Sequence, residues 1–204
     1  MDLRVRSPQS IIKTLTVNFI DPIEINKLVN NIITYGKVDT VLIAHGSLPN
    51  QEECQKELAQ CKDEMLLNGI SPVLFAEAFT SHMEKANSGT LAIIGSVAGD
   101  RGRKSNYVYG AAKGLVTRYV QGLQHRFANT NVKVVLIKPG PTDTPMTAHL
   151  KQQGVSLENV EGVAKSIVQG MKKGQPVIYA SAKWMIIMMI IRHLPRFIFN
   201  KVDI

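Results

Sequence analysis

The stretch Leu91-Ala92-Ile93-Ile94-Gly95-Ser96-Val97-Ala98-Gly99 is an apolar run that ends in a hydroxyl, and Tyr109-Gly110-Ala111-Ala112-Lys113 follows it closely. A short apolar run closed by glycine reads as a buried strand, and residues 105–128 after it read as a helix. Working outward from this strand–helix pair, the same alternation recurs. Strands are predicted near 14–20, 38–44, 90–95, 132–137 and 176–180, and helices near 22–35, 51–85, 105–128, 158–172 and 182–193. Alternation of this kind predicts an α/β fold, a Rossmann-like doubly wound parallel sheet covered on both faces. With 204 residues, 45% hydrophobic, the chain reads as one domain spanning 1–204. No repeat or low-complexity linker divides it.

The same stretch carries chemistry. On a helix, Tyr109 and Lys113 lie one turn apart on one face. At an effective dielectric near 20, a unit charge at about 4 Å is worth roughly 4 kcal/mol, enough to lower a phenol pKa by about 3 units. A phenol so shifted exchanges protons near neutral pH. A strand ending at Ser96 delivers its hydroxyl to the carboxyl edge of the sheet, the usual ligand side of open α/β folds. Asn68, a lone amide inside Met65-Leu66-Leu67-Asn68-Gly69-Ile70, is the fourth candidate.

Asn68, Ser96, Tyr109 and Lys113 match, in order and spacing, the catalytic tetrad of the short-chain dehydrogenase/reductase family, which the chain resembles from about residue 14 to 180. Lys138-Pro139-Gly140-Pro141-Thr142-Asp143-Thr144 resembles the family's Pro-Gly motif after a strand. The resemblance implies an NAD- or NADP-dependent oxidoreductase acting on a carbonyl. Tyr109 would move the proton, Ser96 hold the substrate oxygen, and Asn68 organise a relay water. Lys113 would lower the phenol pKa and, with Tyr109, meet the nicotinamide ribose. Pro139, Gly140, Thr142 and Thr144 would stand at the nicotinamide, Gly46 would line the cofactor site, and Asn18 would take the adenine contact usually made by an acidic residue. The stretch from Ser96 to Tyr109 is similar to that of bacterial reductases of the decaprenylphosphoryl 2-keto-ribose reductase type, whose substrate is a sugar on a polyprenyl phosphate.

The sequence also departs from that pattern. Ile43-Ala44-His45-Gly46 keeps the glycine of the family's Asn-Asn-Ala-Gly and loses both asparagines, so His45 either supplies a polar contact or serves as a structural hydrogen-bonding residue. Residues 1–40 hold no strand–glycine-rich turn–helix unit of the kind that seats a pyrophosphate. Met1-Asp2-Leu3-Arg4-Val5-Arg6 resembles the inside of the family's third helix. Two readings stand: a fragment of a longer enzyme without its first βαβ unit, or a protein that has lost half its cofactor site. In either, strand 14–20 pairs directly with strand 38–44, or the open sheet edges favour homo-oligomers. The competing function is a catalytically silent binding or scaffold protein.

A net charge of +8 calls for an anionic partner. Arg101, Arg103 and Lys104, between Ser96 and Tyr109, could hold a substrate phosphate, or form a solvated loop. No basic stripe interleaved with aromatics suggests nucleic acid, and no His or Cys spacing suggests a metal. Trp184-Met185-Ile186-Ile187-Met188-Met189-Ile190-Ile191 spans about 12 Å as a helix, too short for roughly 30 Å of hydrocarbon. Segment 184–199, with its basic flanks, reads as a peripheral membrane contact on a cytoplasmic protein, or as packing against its own sheet or a dimer mate. Residues 145–158 read as a lid over substrate, with Met146, His149 and Leu150 inward.

Overall fold

The structure is a computed structural model that describes residues 9–202. Met1 to Arg6, read above as helix interior, lie outside the described residues. Among the described residues four strands form one parallel sheet in the order β1-β2-β3-β4. They are β1 (Thr40–Ile43), β2 (Gly89–Ile94), β3 (Val132–Pro139) and β4 (Val177–Ala180). Register pairs Ile43 with Ile93, Ile93 with Leu136, and Pro139 with Ala180. Parallel strands in register bring their carboxyl ends to one edge, so the segments after Ile43, Ile94 and Pro139 meet there.

The α-helices among the described residues are α1 (Pro22–Ile33), α2 (Gln51–Lys56), α3 (Leu58–Met65), α4 (Ser71–Ala86), α5 (Tyr107–Arg126), α6 (Ala148–Gln152), α7 (Val160–Lys172), α8 (Lys183–His193) and α9 (Arg196–Phe199). Helix α1 starts where a capping residue predicts: the Asp21 carboxylate accepts from the N–H of Ile23 at 2.8 Å and of Glu24 at 3.1 Å, and Pro22 occupies the first turn. Ile25 and Val29, one turn apart, then face the sheet.

Alternate strand residues serve two cores. Val41, Ile43, Leu91, Ile93, Val134 and Leu136 pack with α1, α4 and α5. Ala92, Val135, Ile137, Ile178 and Ala180 pack with Val163 of α7 on the opposite face. Among the described residues that second layer does not reach β1, where Leu42 is 50% exposed. A third cluster joins Val97 to Met188 and Ile191 of α8.

Two expectations are corrected. Residues 14–20 form no strand. Among the described residues no neighbouring strand offers them a ladder, and they are attached by side chains instead. Val17 lies on the core, and Phe19 meets His45 and Phe75 at centroid distances of 4.7 and 5.5 Å. The outer edge of β1 is therefore unpaired among the described residues. The single helix expected over 51–85 is instead α2, α3, a π-helical turn at Leu66–Ile70, and α4. Glu57 leaves helical geometry at φ −116, ψ 101. Pro72, lacking an N–H, cannot return a bond to the carbonyl of Asn68 four residues back.

Candidate active site

The four tetrad candidates converge at the carboxyl edge of the sheet. Asn68 sits in the π turn, fully buried, a local widening that often marks function. Its Oδ1 accepts from the Ser47 N–H at 3.0 Å, while its amide donates to Ser47 Oγ at 3.0 Å and to Glu64 Oε2 at 2.9 Å. Ser47 also donates its hydroxyl to Glu64. Ser47 and Glu64 are additions to the residues expected from sequence. Glu64 was legible as one helical turn before Asn68, whereas Ser47 reaches the site only through the fold.

Gly46 explains how Asn68 meets the lysine. Its φ of +151 suits glycine, and a Cβ there would lie 2.8 Å from Asn68 Oδ1 and 3.6 Å from Lys113 Nζ. Lys113 is 3% exposed, with its ammonium donating to the Ile94 carbonyl at 3.1 Å. An ammonium has three protons to place, and this is the one acceptor assigned to it among the described residues. Burial lowers the lysine pKa to about 8.

Ser96 follows β2 and stands at the start of the 3-10 turn Val97–Asp100, its Oγ accepting from the Ala98 N–H at 3.1 Å. The turn lies directly on α5, because a Cβ at Gly99 would come within 2.6 Å of the Lys113 carbonyl group. This close approach brings Ser96 and the Tyr109 phenol to the wall of one cavity, near enough for the serine hydroxyl to favour the phenolate. Here the sequence-based expectation needs correction. The Tyr109 phenol is not acidified in this structure: burial raises its pKa, and only the Ser96 hydroxyl works in the other direction. Lys113 Nζ stands 5.8 Å from the ring centroid and points its bond at Ile94.

A cavity of about 480 Å³ opens beside these groups, walled by Ser96, Tyr109, Pro139, Gly140, Thr142 and Thr144 together with apolar side chains such as Ile94 and Val163. The Pro-Gly motif follows β3 as expected, with the Gly140 N–H donating to the Ala180 carbonyl at 3.1 Å. A Cβ at Gly140 would collide with the Trp184 indole. Thr142 Oγ1 donates to the Gly140 carbonyl at 3.0 Å, and the Thr144 N–H donates to Thr147 Oγ1 at 3.2 Å. From the expected lid, Met146 and Leu150 line the cavity, whereas His149 is exposed and does not.

Asn18 is exposed, and its Oδ1 is committed to the Ile20 N–H at 3.1 Å in a local turn. His45 takes the structural reading, with Nε2 2.8 Å from Ser71 Oγ and the ring against Phe19 and Phe75. Burial, then the charge of Lys113, lowers its pKa to about 4. The three basic residues expected to act together are separated. Arg101 donates to the carbonyls of Ile191 and Leu194, Lys104 lies on the surface, and Arg103 lines the cavity. Asp100, missed from sequence, is ion-paired to buried Lys138 and accepts from the Tyr179 phenol at 2.9 Å, which fixes the far end of the 3-10 turn that follows Ser96.

Residues 4–154 match the family model described as short chain dehydrogenase. An uncharacterised oxidoreductase of Mycobacterium tuberculosis is 26% identical over 167 residues, 82% of this chain and 67% of the relative. One from Streptomyces coelicolor is 24% identical over 191 residues, 93% of this chain and 75% of the relative. A short-chain dehydrogenase from Streptomyces avermitilis superposes with a TM-score of 0.79 at 16% identity, over 92% of this chain and 77% of the other. Another from Burkholderia cenocepacia, solved with NADP, gives 0.79 at 16% identity, over 92% and 76%. The chain belongs to the short chain dehydrogenase family.

Proposed function

We propose that this chain carries the catalytic residues of a nicotinamide-dependent carbonyl reductase in which Tyr109 gives the proton and Ser96 holds the oxygen. The observation that carries this reading is the proximity of two hydroxyls, Ser96 and Tyr109, at the wall of one apolar cavity, with a buried ammonium at Lys113 behind them. A ketone oxygen seated between the two hydroxyls would receive hydrogen bonds from both. Reduced nicotinamide, when bound, supplies hydride to the carbonyl carbon.

The residues present fit the nicotinamide–ribose end of that cofactor. Lys113 has donors to spare in a buried setting, and Gly46 keeps its surroundings free of a side chain. Lys113 and Tyr109 would hold the ribose, and Pro139, Gly140, Thr142 and Thr144 the nicotinamide. The relative solved with NADP supports NAD or NADP as the cofactor. Lys113 then raises the local positive potential as the phenol releases its proton, and Asn68 with Ser47 and Glu64 offers a polar route for its replacement.

The cavity's apolar wall suits a substrate with a lipid portion, and a keto-sugar on a polyprenyl phosphate is the substrate class we favour. A peripheral contact with anionic lipid through 184–199 accords with it. Met185, Ile186, Met189 and Ile190 are each more than half exposed along α8, next to Arg192 and Arg196. Among the described residues no helix is long and apolar enough to cross a membrane. A silent scaffold would have no use for a lysine buried at the expense of its charge, so the enzyme reading is preferred. The test is Tyr109→Phe, assayed with reduced nicotinamide and a panel of ketones. Turnover should fall by about 10²-fold or more with the melting temperature unchanged, and a variant that keeps the wild-type rate overturns the assignment.

A further inference from the structure

Of the three basic residues between Ser96 and Tyr109, the fold turns only one into the catalytic cavity. Arg101 is used structurally, bonding to the Leu194 carbonyl at 2.7 Å and lying 3.7 Å over the Phe199 ring. Arg103 lines the cavity beside Ser96 and Tyr109 and also walls a second cavity of about 440 Å³, shared with Asn200 and Lys201. Its Nε is buried with no hydrogen-bond partner among the described residues. Burial lowers its pKa, so the fold holds this cation at a cost, and no carboxylate among the described residues is ion-paired to it.

Asn106 provides an independent observation. It stands at the N-cap of α5, where an asparagine ordinarily accepts from the first turn, yet its side chain makes no such bond. Gln51 takes over that task, its Oε1 accepting from the Val108 N–H at 2.9 Å. The Asn106 carboxamide is thereby released to the cavity, with Oδ1 buried and unpartnered among the described residues. Two polar atoms, Arg103 Nε and Asn106 Oδ1, each buried and without a hydrogen-bond partner among the described residues, stand on residues that share a wall with the reacting hydroxyls. Unpaired buried polar groups are costly, and a ligand that satisfies them gains by it.

We propose that Arg103 and Asn106 form a specificity subsite that reads an oxyanion and a neighbouring hydroxyl on the carbonyl substrate, Arg103 taking the anion and Asn106 the hydroxyl. The oxyanion is a phosphate ester or a carboxylate, and Gln51 is a positioning residue that frees Asn106. This deepens the reductase reading and rests on it for the identity of the site, but its test does not require turnover.

The test is calorimetric titration of the chain with ribulose, ribulose 5-phosphate and 5-keto-gluconate, for the wild type, Arg103→Gln, Arg103→Lys and Asn106→Ala. One anionic ligand should bind about 10- to 100-fold tighter than ribulose, the yield of a charge-assisted hydrogen bond. Which anion wins identifies the source. Arg103→Gln should erase the preference, Arg103→Lys should keep only part of it because the planar fork is lost, and Asn106→Ala should weaken all three ligands without lowering the melting temperature. Equal affinities, a preference that survives Arg103→Gln, or no binding of any of the three at about 10 mM, a Kd beyond useful recognition, each overturns the proposal. Anion-selective binding without ketone reduction in the presence of NADPH would sink the reductase reading and leave the subsite standing.

Discussion

Lys113 is a cation held where folding alone would not keep one. It is 3% exposed, its pKa falls from 10.5 to about 8, and burial is the cause. Between those two values the unfolded chain binds a proton that the folded chain does not, so stability rises with pH across the window and the full penalty is present below 8. Lys113→Met should therefore abolish catalysis while raising stability at pH 7. The gain should be about 2 kcal/mol, roughly 3 from the relieved charge less about 1 for the lost bond to Ile94. Urea unfolding at pH 7 and pH 10 checks this, because the wild-type rise with pH should vanish in the variant. His45 acts in the acid range. With a folded pKa near 4 against an ordinary 6.5, it contributes stability above 6.5 that is lost as pH falls toward 4. His45→Gln should flatten that loss in the same measurement.

At the scale of elements, the site depends on how closely the 3-10 turn after β2 approaches α5. Gly99 permits that approach, since a Cβ would lie 2.6 Å from the Lys113 carbonyl group. Gly99→Ala must push the turn outward, at a cost of about 1–3 kcal/mol, and carry Ser96 away from Tyr109. Its expected signature is a fall in kcat beyond what the lost stability explains. The start of α5 offers a sharper contrast. Since Gln51 and not Asn106 serves the first turn, Gln51→Ala should cost about 1–3 kcal/mol through the unpaired Val108 N–H. Asn106→Ala should cost almost nothing, the reverse of what N-cap preferences predict. Thermal melts of the two variants decide it.

At the scale of the molecule, separate regions are tied to the 3-10 turn after Ser96 by charged side chains. Asp100 joins β3 through Lys138 and β4 through Tyr179, whose pKa burial and Asp100 push up to about 12. Arg101 joins the C-terminal end of α8. Asp100→Asn leaves the Lys138 ammonium buried against a neutral amide, and a loss of about 3–5 kcal/mol is expected in chemical unfolding. The outer faces make a separate prediction. Ile186 and Ile190 are each 56% exposed on α8, so Ile186→Ser with Ile190→Ser should leave the melting temperature unchanged. If 184–199 meets lipid, the double variant should lose co-sedimentation with anionic vesicles, whereas equal sedimentation of both proteins would refute the membrane contact. The edge of β1, unpaired among the described residues, predicts self-association, which a sharp monomer peak in gel filtration would contradict.

The sequence by itself determined the alternation of strand and helix, and with it the parallel sheet, because periodicity records which side of each element is apolar. Strand ends gathering at one edge and helical spacing also put Ser96, Tyr109 and Lys113 near one another, whereas Asn68 stood out only as a lone amide in an apolar run, and its place beside them is a matter of the fold. Residues 14–20 misled because their apolar pattern is that of a strand, while pairing depends on a neighbour that no local pattern reveals. Only the tertiary structure decided that burial, and not Lys113, governs the Tyr109 phenol, that Arg103 alone of three basic residues enters the cavity, and that Gln51 takes the cap from Asn106. In each case the outcome turns on which groups are desolvated together, and desolvation is a property of packing between distant segments.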